Sequence, residues 1–467
     1  MKYKNGHLDP IISTLGLKQG CPLSPMLFNL YIDDIIDTFD EKCEPIIFQG
    51  KPLNHFLYAD DLVLLSYSEK GLQTCLDRLK DFAGKKHLTV SIDKSKTIVF
   101  NKTGKLIKCI FKVGGEELEP VQNFCYLGYE ISASGTNSTS INYLYDKAAK
   151  AMQPIFRTAA RFNIPAKTLI KLFNAYVSPI MLYNVENWGE LKNCRLQNFK
   201  KESFWTDVME AKASILQRKF LKYILGVTKS CPNLAVMGDT GELPLLLKGY
   251  RLMLQFWHRV TNLSDETLAK KALLENVHLR TNWIKTIEKL INIFHLSDSI
   301  QSTSKLCNKT KEAIRTNFTE HWKNNINTNG RLGFYTKHKL TFEFEDYLNI
   351  SSFDKRKAIA KFRCSDHDLE IERGRHKKIP REARLCKLCE SDEIESEDHF
   401  LFTCNFYEDI KTKLSPFTEN NLFSNDNLQP LSEFIMLAFA RRRDKFTLDE
   451  LLTNAILLCT EINFSEV

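Results

Sequence analysis

The chain has 467 residues, of which 43% are hydrophobic, and its basic residues outnumber the acidic ones to give a formal net charge of +8. This length predicts roughly three domains with buried cores, and no apolar run approaches the ~20 residues of a membrane-spanning helix, which argues against a membrane protein. Thirteen cysteines, odd in number and mostly scattered, argue against a secreted disulfide scaffold and predict reduced thiols in the cytoplasm or nucleus.

The first predicted element follows a loop of residues 16–25, which read GLKQGCPLSP. Apolar residues then recur at helical spacing, and Ser24 and Pro25 fit the cap and the first turn of a helix. The helix carries two adjacent carboxylates, Asp33 and Asp34, whose side chains diverge by about 100°. We therefore predict that this pair lies on a solvated helix face.

A second pair of carboxylates interrupts a strand-forming run at residues 56–65, which read FLYADDLVLL. Tyrosine, valine and leucine on both sides predict two short strands, and Ala59, Asp60 and Asp61 predict the turn between them. Aspartate oxygens are hard ligands that suit Mg²⁺, and two such ions roughly 3.5–4 Å apart commonly catalyse nucleotidyl transfer. By itself, the pair is equally compatible with a polar hairpin tip that binds no metal.

Four further segments follow at short separation. An amphipathic helix is predicted to end near Gly84, and alternating apolar residues predict a strand at 88–92. Blocks at residues 93–100 (DKSKTIVF) and 124–132 (FCYLGYEIS) come next. The apolar positions of the helix are Leu72, Cys75, Leu76, Leu79 and Phe82.

These signatures, in this order, resemble the reverse transcriptases of non-LTR (LINE-type) retrotransposons from the middle of the palm onward. The resemblance implies an α+β fold, a partial right-hand polymerase palm followed by a helical thumb and a helical C-terminal region with a small zinc motif. It implies that Asp60 and Asp61 hold Mg²⁺. It also implies that the nucleotide and primer contact Gln19, Gly20, Lys96, Tyr126, Leu127 and Gly128. Lys18 stands where the family more usually has arginine, which keeps the charge but loses the bidentate fork.

The resemblance continues at residues 173–183 (FNAYVSPIMLY) and 216–226 (LQRKFLKYILG), which look like the thumb and post-thumb blocks. Residues 135–140 are predicted to be the linker before the first thumb helix. The predicted domains are a partial palm (1–135), the thumb and post-thumb region (141–244), a helical region without an assigned role (245–363), a basic segment with the zinc motif (364–410), and a helical tail (411–467).

The zinc prediction rests on Cys386, Cys389, His399 and Cys404, spaced C-x2-C-x9-H-x4-C. Three thiols and an imidazole give the ligand number and softness of a closed, structural Zn²⁺ site. The alternative is that these cysteines pack as small hydrophobic residues. The resemblance favours zinc, because many of these elements end in a Cys-Cys-His-Cys motif.

The positive balance suits a polyanionic partner, and two groups of basic residues are predicted to contact nucleic acid. Arg218, Lys219 and Lys222 share one face of the post-thumb helix, opposite its apolar residues. The second group stands in the basic segment before the zinc motif and comprises Arg373, Arg375, Lys377 and Lys378. The alternative for both groups is a merely solvated face.

Polymerases of this kind need a further carboxylate from an earlier palm block resembling F-x-D-x-x-x-A-F-D. The only acid before Gly16 is Asp9, so we expect a C-terminal portion of a reverse transcriptase that is inactive alone. Its partners would be an RNA template, a DNA primer or target, and deoxynucleotides. The alternative is a non-catalytic nucleic-acid-binding remnant. We expect no nuclease after the zinc motif, and the sequence leaves the oligomeric state and the target site open.

Overall fold

The computed structural model describes residues 2–3, 6–7, 16–17, 20–191, 201–297, 303–414 and 418–462. The chain divides into two units, Met1–Ser140 and Ile141–Val467. Small sheets and two α-helices make up most of the described part of the first unit, and the second is largely helical, in agreement with the α+β class. No described helix combines the length and the apolar character needed to cross a membrane.

The strands of the first unit pair mostly as short antiparallel hairpins, namely β1 with β2, β3 with β4, β5 with β6, and β10 with β11. A three-stranded sheet has the order β7-β9-β8, with β7 parallel to β9. The strand bounds are β1 Lys2–Tyr3, β2 Gly6–His7, β3 Ile46–Phe48, β4 Lys51–Leu53, β5 His55–Tyr58, β6 Asp61–Leu64, β7 Lys96–Thr97, β8 Phe111–Val113, β9 Glu116–Pro120, β10 Asn123–Tyr126 and β11 Tyr129–Ser132.

Two helices, α1 (Ser24–Ile32) and α2 (Glu69–Lys85), lie among these strands in the sequence. The α2 helix begins where the Ser68 hydroxyl accepts a hydrogen bond from the Gly71 amide at 2.9 Å, as expected of an N-cap. Its apolar face joins two buried clusters, one with Ile35, Phe39 and Cys43, the other with Phe111, Val113 and Leu118. Burial of this face fixes α2 within the first unit.

Two local predictions in this unit were wrong. Ser24 does not cap α1, because the helix begins at Ser24 and its N-cap position is Leu23, although a proline occupies the first turn. Residues 88–91 form no strand, and Ile92–Lys94 is a 3₁₀ turn. Val90 and Ile92 instead pack against the second cluster. Alternating apolar residues show that one side of the segment is buried, but a segment can be buried on one side without pairing as a strand.

The helices of the following part of the chain have these bounds: α3 Ser138–Arg161, α4 Ala166–Leu172, α5 Ser178–Met181, α6 Val185–Trp188, α7 Lys201–Glu210, α8 Lys212–Leu225, α9 Asn233–Thr240, α10 Leu245–Thr261, α11 Leu268–His278, α12 Asn282–Ile293, α13 Thr303–Thr328, α14 Gly333–His338, α15 Phe353–Arg363, α16 Glu370–His376, α17 Glu408–Lys413 and α18 Leu428–Ile462. The predicted linker is shorter than expected, because residues 138–140 already belong to α3.

Close packing of α9 against α13 and α14 organises the core of the second unit. A β-carbon at Gly238 would lie 2.8 Å from the Trp322 ring and would also collide with the Tyr335 hydroxyl, so a glycine is needed at this contact. Trp322 is fully buried, and its indole nitrogen donates to the Leu234 carbonyl oxygen at 2.9 Å. The buried polar atom is thereby satisfied.

A buried ion pair joins α9 to α15. The Arg363 guanidinium lies 3.2 Å from Asp239 and 3.1 Å from Glu345, and both Asp239 and Arg363 are inaccessible to solvent. The Tyr347 hydroxyl donates to Asp239 at 2.7 Å. Burial alone would lower the pKa of Arg363, but the charges of Asp239 and Glu345 outweigh it and raise that pKa. The guanidinium therefore stays charged inside the protein.

Replacing Asp239 by asparagine should destabilise the second unit by about 3–5 kcal/mol, because it leaves a buried guanidinium without its main counter-charge. All five tryptophans lie after residue 140, so tryptophan fluorescence in a urea titration follows the unfolding of this unit. The matched control is Asp409→Asn, which removes an exposed partner of Arg441 and should change the free energy of unfolding little. Equal shifts in the two variants would contradict the assignment.

Candidate functional site

The hairpin of β5 and β6 presents Asp60 and Asp61 at one end. Tyr58 pairs with Asp61, so the turn consists of Ala59 and Asp60, and Asp61 is the first residue of β6. Ala59 has a φ of +53°, which is uncommon for a residue with a β-carbon and is typical of constrained turns. Both carboxylates are exposed. The sequence predicted the hairpin, but the turn holds one of the two aspartates.

The hairpin of β10 and β11 has a turn at Leu127 and Gly128, whose φ angles are +46° and +78°. Burial raises the pKa of the Tyr126 hydroxyl beside this turn, and the negative charge of Asp61 raises it further. The tyrosine therefore lies within the electrostatic reach of the aspartate pair, and the two predicted site segments are neighbours within the first unit.

The other predicted nucleotide contacts differ in what surrounds them. Gly20 is exposed with a φ of +81°, and no described atom lies within 4 Å of the place of a β-carbon. Gln19 lies outside the described residues. The Lys96 ammonium is held by Glu119 at 2.7 Å, so a phosphate would have to compete with that carboxylate.

The second chemical site is formed by Cys386, Cys389, His399 and Cys404, whose potential ligand atoms all lie within 4.8 Å of one another. An isolated bridge between Leu385 and Ile394 closes the first loop. Three sulfurs and one nitrogen at these separations match the donor set of a structural zinc ion. The four residues predicted from spacing are thus brought together, and the cluster fits zinc binding.

Acidic residues between the ligands hold them in place, and sequence analysis missed them. Glu393 lies 2.7 Å from the His399 Nδ1 and also accepts from the Thr403 hydroxyl, which leaves Nε2 facing the Cys389 sulfur at 3.3 Å. A carboxylate behind a metal-binding histidine fixes its ring and raises its basicity. The hydrogen bond from His399 lowers the pKa of Glu393. The pattern Glu-x-Glu between the second cysteine and the histidine was the available signal.

The second of these acids, Glu395, connects the cluster to the C-terminal helix. The Cys386 thiol lies 3.8 Å from a Glu395 oxygen, and the Arg442 Nη2 donates to the other oxygen at 2.8 Å. Both charged residues are almost fully buried. Arg442 thus belongs to the support of the cluster rather than to a free basic surface.

The predicted basic face of α8 was partly wrong. Lys219 is exposed, but Arg218 is buried, and the half-buried Lys222 donates to the Lys229 carbonyl oxygen at 2.7 Å. Ser214 and Gln217 are buried too, so α8 packs on more than its apolar side. A helical wheel with one buried face cannot show this second contact.

The basic segment before the cluster also contains fewer free charges than its sequence indicates. Arg375 pairs with Glu372 at 2.9 Å, and Arg373 lies 3.6 Å from Glu370. Lys377 and Lys378 are exposed. Several nearby arginines serve the fold, among them Arg356, Arg363 and Arg384, each of which donates to backbone carbonyl groups.

Comparison with known proteins decides the class of the first unit. Residues 1–131 match a family model described as reverse transcriptase (RNA-dependent DNA polymerase). The chain is 34% identical over 137 residues to the Pol polyprotein of the R2DM retrotransposable element of Drosophila melanogaster, a match that covers 27% of this chain and 13% of that protein. This segment belongs to the non-LTR reverse transcriptases.

R2 polyproteins from two other insects are also similar to this chain. The relative from Nasonia vitripennis is 28% identical over 149 residues, which are 30% of this chain and 14% of that protein. A relative from Popillia japonica is 26% identical over 189 residues, 37% of this chain and 24% of that protein. The chain thus matches less than a quarter of the length of each of these relatives.

We predict that this chain binds one zinc ion and that Cys389→Ser abolishes binding, because three ligands cannot close the tetrahedral site. Zinc content of protein purified without chelators would be measured by mass spectrometry. Cys125→Ser, in an exposed strand position of the first unit, should keep the metal. Glu393→Gln should weaken zinc binding by about 10–100-fold, since it removes the histidine's carboxylate partner. A zinc-free wild-type chain would refute the site.

Proposed function

We propose that this chain supplies the metal-binding hairpin, thumb and zinc module of an RNA-directed DNA polymerase of a non-LTR retrotransposon. The observation that carries the proposal is the exposed Asp60–Asp61 pair at a hairpin end, within the segment that matches the reverse transcriptase model. In this proposal the pair holds Mg²⁺, and the primer 3′-hydroxyl attacks the α-phosphate of a deoxynucleotide opposite an RNA template.

The availability of the two carboxylates supports a metal-binding role. Within the described part of the chain, neither the Asp60 nor the Asp61 carboxylate has a hydrogen-bond or ion-pair partner. The other acidic pair differs, because Asp34 lies 2.8 Å from the Lys86 ammonium. Free, adjacent carboxylates are what a hard divalent cation requires.

The supply of further metal ligands defines the test. Among the described residues, three or more potential ligand side chains come close enough to share an ion at the cysteine–histidine cluster alone. In that part of the chain, Asp60 and Asp61 therefore have no third cysteine, histidine or acidic side chain beside them. Catalysis with two ions depends on holding both ions and the reacting oxygens together. The hairpin would therefore need a further palm carboxylate to polymerise efficiently.

We predict that primer extension on an RNA template with Mg²⁺ is slower by orders of magnitude for this chain alone than for the chain joined to a segment with the family's earlier palm carboxylate block. Asp60→Ala should abolish the activity of the joined protein, because it removes a metal ligand. Asp33→Ala, in an exposed acid of the other pair, should leave it unchanged. Extension that survives Asp60→Ala would refute the role of the hairpin.

The same proposal assigns the nucleotide and primer contacts to Gln19, Gly20, Lys96 and the turn that follows Tyr126, and the thumb to residues 141–244. For the backbone of the nucleic acid we propose Lys219, Lys377 and Lys378, because these side chains are exposed. Lys222, Arg373 and Arg375 are not included, because a carbonyl group or carboxylates already bind them. Arg218 is buried and so does not belong to this exposed surface.

The specific alternative is a non-catalytic nucleic-acid-binding protein built on the zinc module. It is favoured by the proximity in sequence of the exposed lysines to the cysteine–histidine cluster. Both functions require that Lys377 and Lys378 contact phosphates of the nucleic acid.

The double variant Lys377→Gln/Lys378→Gln should weaken duplex binding and make the slope of log affinity against log salt shallower by up to about 1.8, since each phosphate contact contributes about 0.9. Fluorescence anisotropy at four salt concentrations measures this slope. The control pair is Lys309→Gln/Lys311→Gln, two exposed lysines of α13, whose slope should match that of the wild type. Identical slopes for all three proteins would exclude phosphate contacts at 377 and 378.

A further inference from the structure

The second unit contains a cavity of about 760 Å³ between α7, α8, α9 and α13. This volume lies within the range of about 300–1,000 Å³ that is typical of small-molecule sites. Neither the aspartate hairpin nor the zinc cluster contributes to its lining, which includes Arg218, Trp205 and His321. The cavity is therefore a separate feature of the helical unit.

Arg218 is the arginine of the lining, which also contains three glutamates. Its side chain is only 9% exposed, and its Nη1 has no hydrogen-bond partner among the described residues. Burial lowers the pKa of the guanidinium, and the ammonium of Lys222 lies near enough for the two positive charges to disfavour one another. Burying a cation without a counter-charge is costly. An anionic group entering the cavity would supply the missing partner.

Aromatic rings and asparagine side chains form other parts of the lining, and together they could contact a planar heterocycle. Trp205 and His321 are stacked with ring centroids 4.7 Å apart and form part of the wall. Side-chain amides line two sides of the cavity, at Asn233 on α9 and at Asn324 on α13, whereas the Asn325 amide nitrogen already donates to His321. Amides offer both donors and acceptors, as a heterocyclic base requires.

Exposed carboxylates complete the lining and restrict the ligand. Glu202, Glu210 and Glu320 are exposed, so they would repel an anion that approached without a cationic or hydrogen-bond-donating end. A ligand that fits must have an anionic part for Arg218 and N–H donors for the glutamates. A nucleotide has both, because its phosphate is anionic and an exocyclic amino group can donate to a carboxylate, as cytosine N4 does.

We propose that this cavity binds one nucleotide of a single-stranded nucleic acid, with a phosphate on Arg218 and the base edge against the amides and the exposed glutamates. The choice of nucleic acid rests on the proposed function. Single strands are recognised through unstacked bases whose edges and faces are free, and one base in a pocket is a form of that recognition. Bases with an exocyclic amino group, such as cytosine, should be preferred over uracil.

The test uses cytidine 5′-monophosphate and uridine 5′-monophosphate as probes, titrated into the full chain at constant ionic strength and followed by ligand-observed NMR. Arg218→Gln should weaken binding of the cytidine nucleotide at least tenfold. The matched control is Lys309→Gln, which removes a positive charge from an exposed position of α13 outside the lining of the cavity and should change binding less than twofold. Equal affinities for wild type and Arg218→Gln would overturn the proposal, as would displacement of the nucleotide by acetate as effectively as by phosphate.

A second variant covers the case in which Arg218→Gln does not fold. Glu320→Gln changes an exposed residue and should reduce the preference for the cytidine over the uridine nucleotide at least threefold. An unchanged preference would overturn the assignment of the base edge. Asp60→Ala should leave nucleotide binding at the cavity intact, so loss of primer extension without loss of binding separates the failure of the polymerase proposal from the failure of this one.

Discussion

The second unit depends on a charge buried in its centre. Arg363 is enclosed between Asp239 and Glu345, and the same aspartate accepts from Tyr347 and lies 3.7 Å from the Cys364 sulfur. One carboxylate thereby joins α9, α15 and the segment between them. Buried polar networks of this kind tolerate few alternative arrangements, because each rearrangement leaves an unsatisfied charge. The tight contact at Gly238, one residue before Asp239, makes the position of α9 still more specific.

The sites that could be predicted from the sequence are those whose geometry is local. Asp60 and Asp61 are placed by a four-residue pairing between adjacent strands, and strand propensity around a short polar segment indicates that arrangement. The zinc cluster is likewise contained within residues 386–404, where spacing limits how the ligands can meet. In both cases the residues that meet are close to one another in the sequence.

The basic residues illustrate what sequence could not show. Arg356 and Arg363 stand before the basic segment and Arg442 stands in the helical tail, yet all three are buried. Their partners are as far as 192 residues away in the chain, as for Arg356 and the Ile164 carbonyl oxygen. Charge density along the chain does not reveal which side chains meet after folding. The same limitation applied to Arg218, whose burial depends on how several helices pack.

Glu395 connects the cysteine–histidine cluster to the C-terminal helix α18, where Arg442 lies 47 residues further along the chain. Its two oxygens meet the Cys386 thiol and the Arg442 guanidinium, and one also accepts from the Glu370 amide. A zinc ion would bind Cys386 as a thiolate, which cannot donate to Glu395, so that carboxylate would then depend on the Arg442 guanidinium and the Glu370 amide. Metal binding at the cluster and the attachment of α18 therefore depend on the same carboxylate.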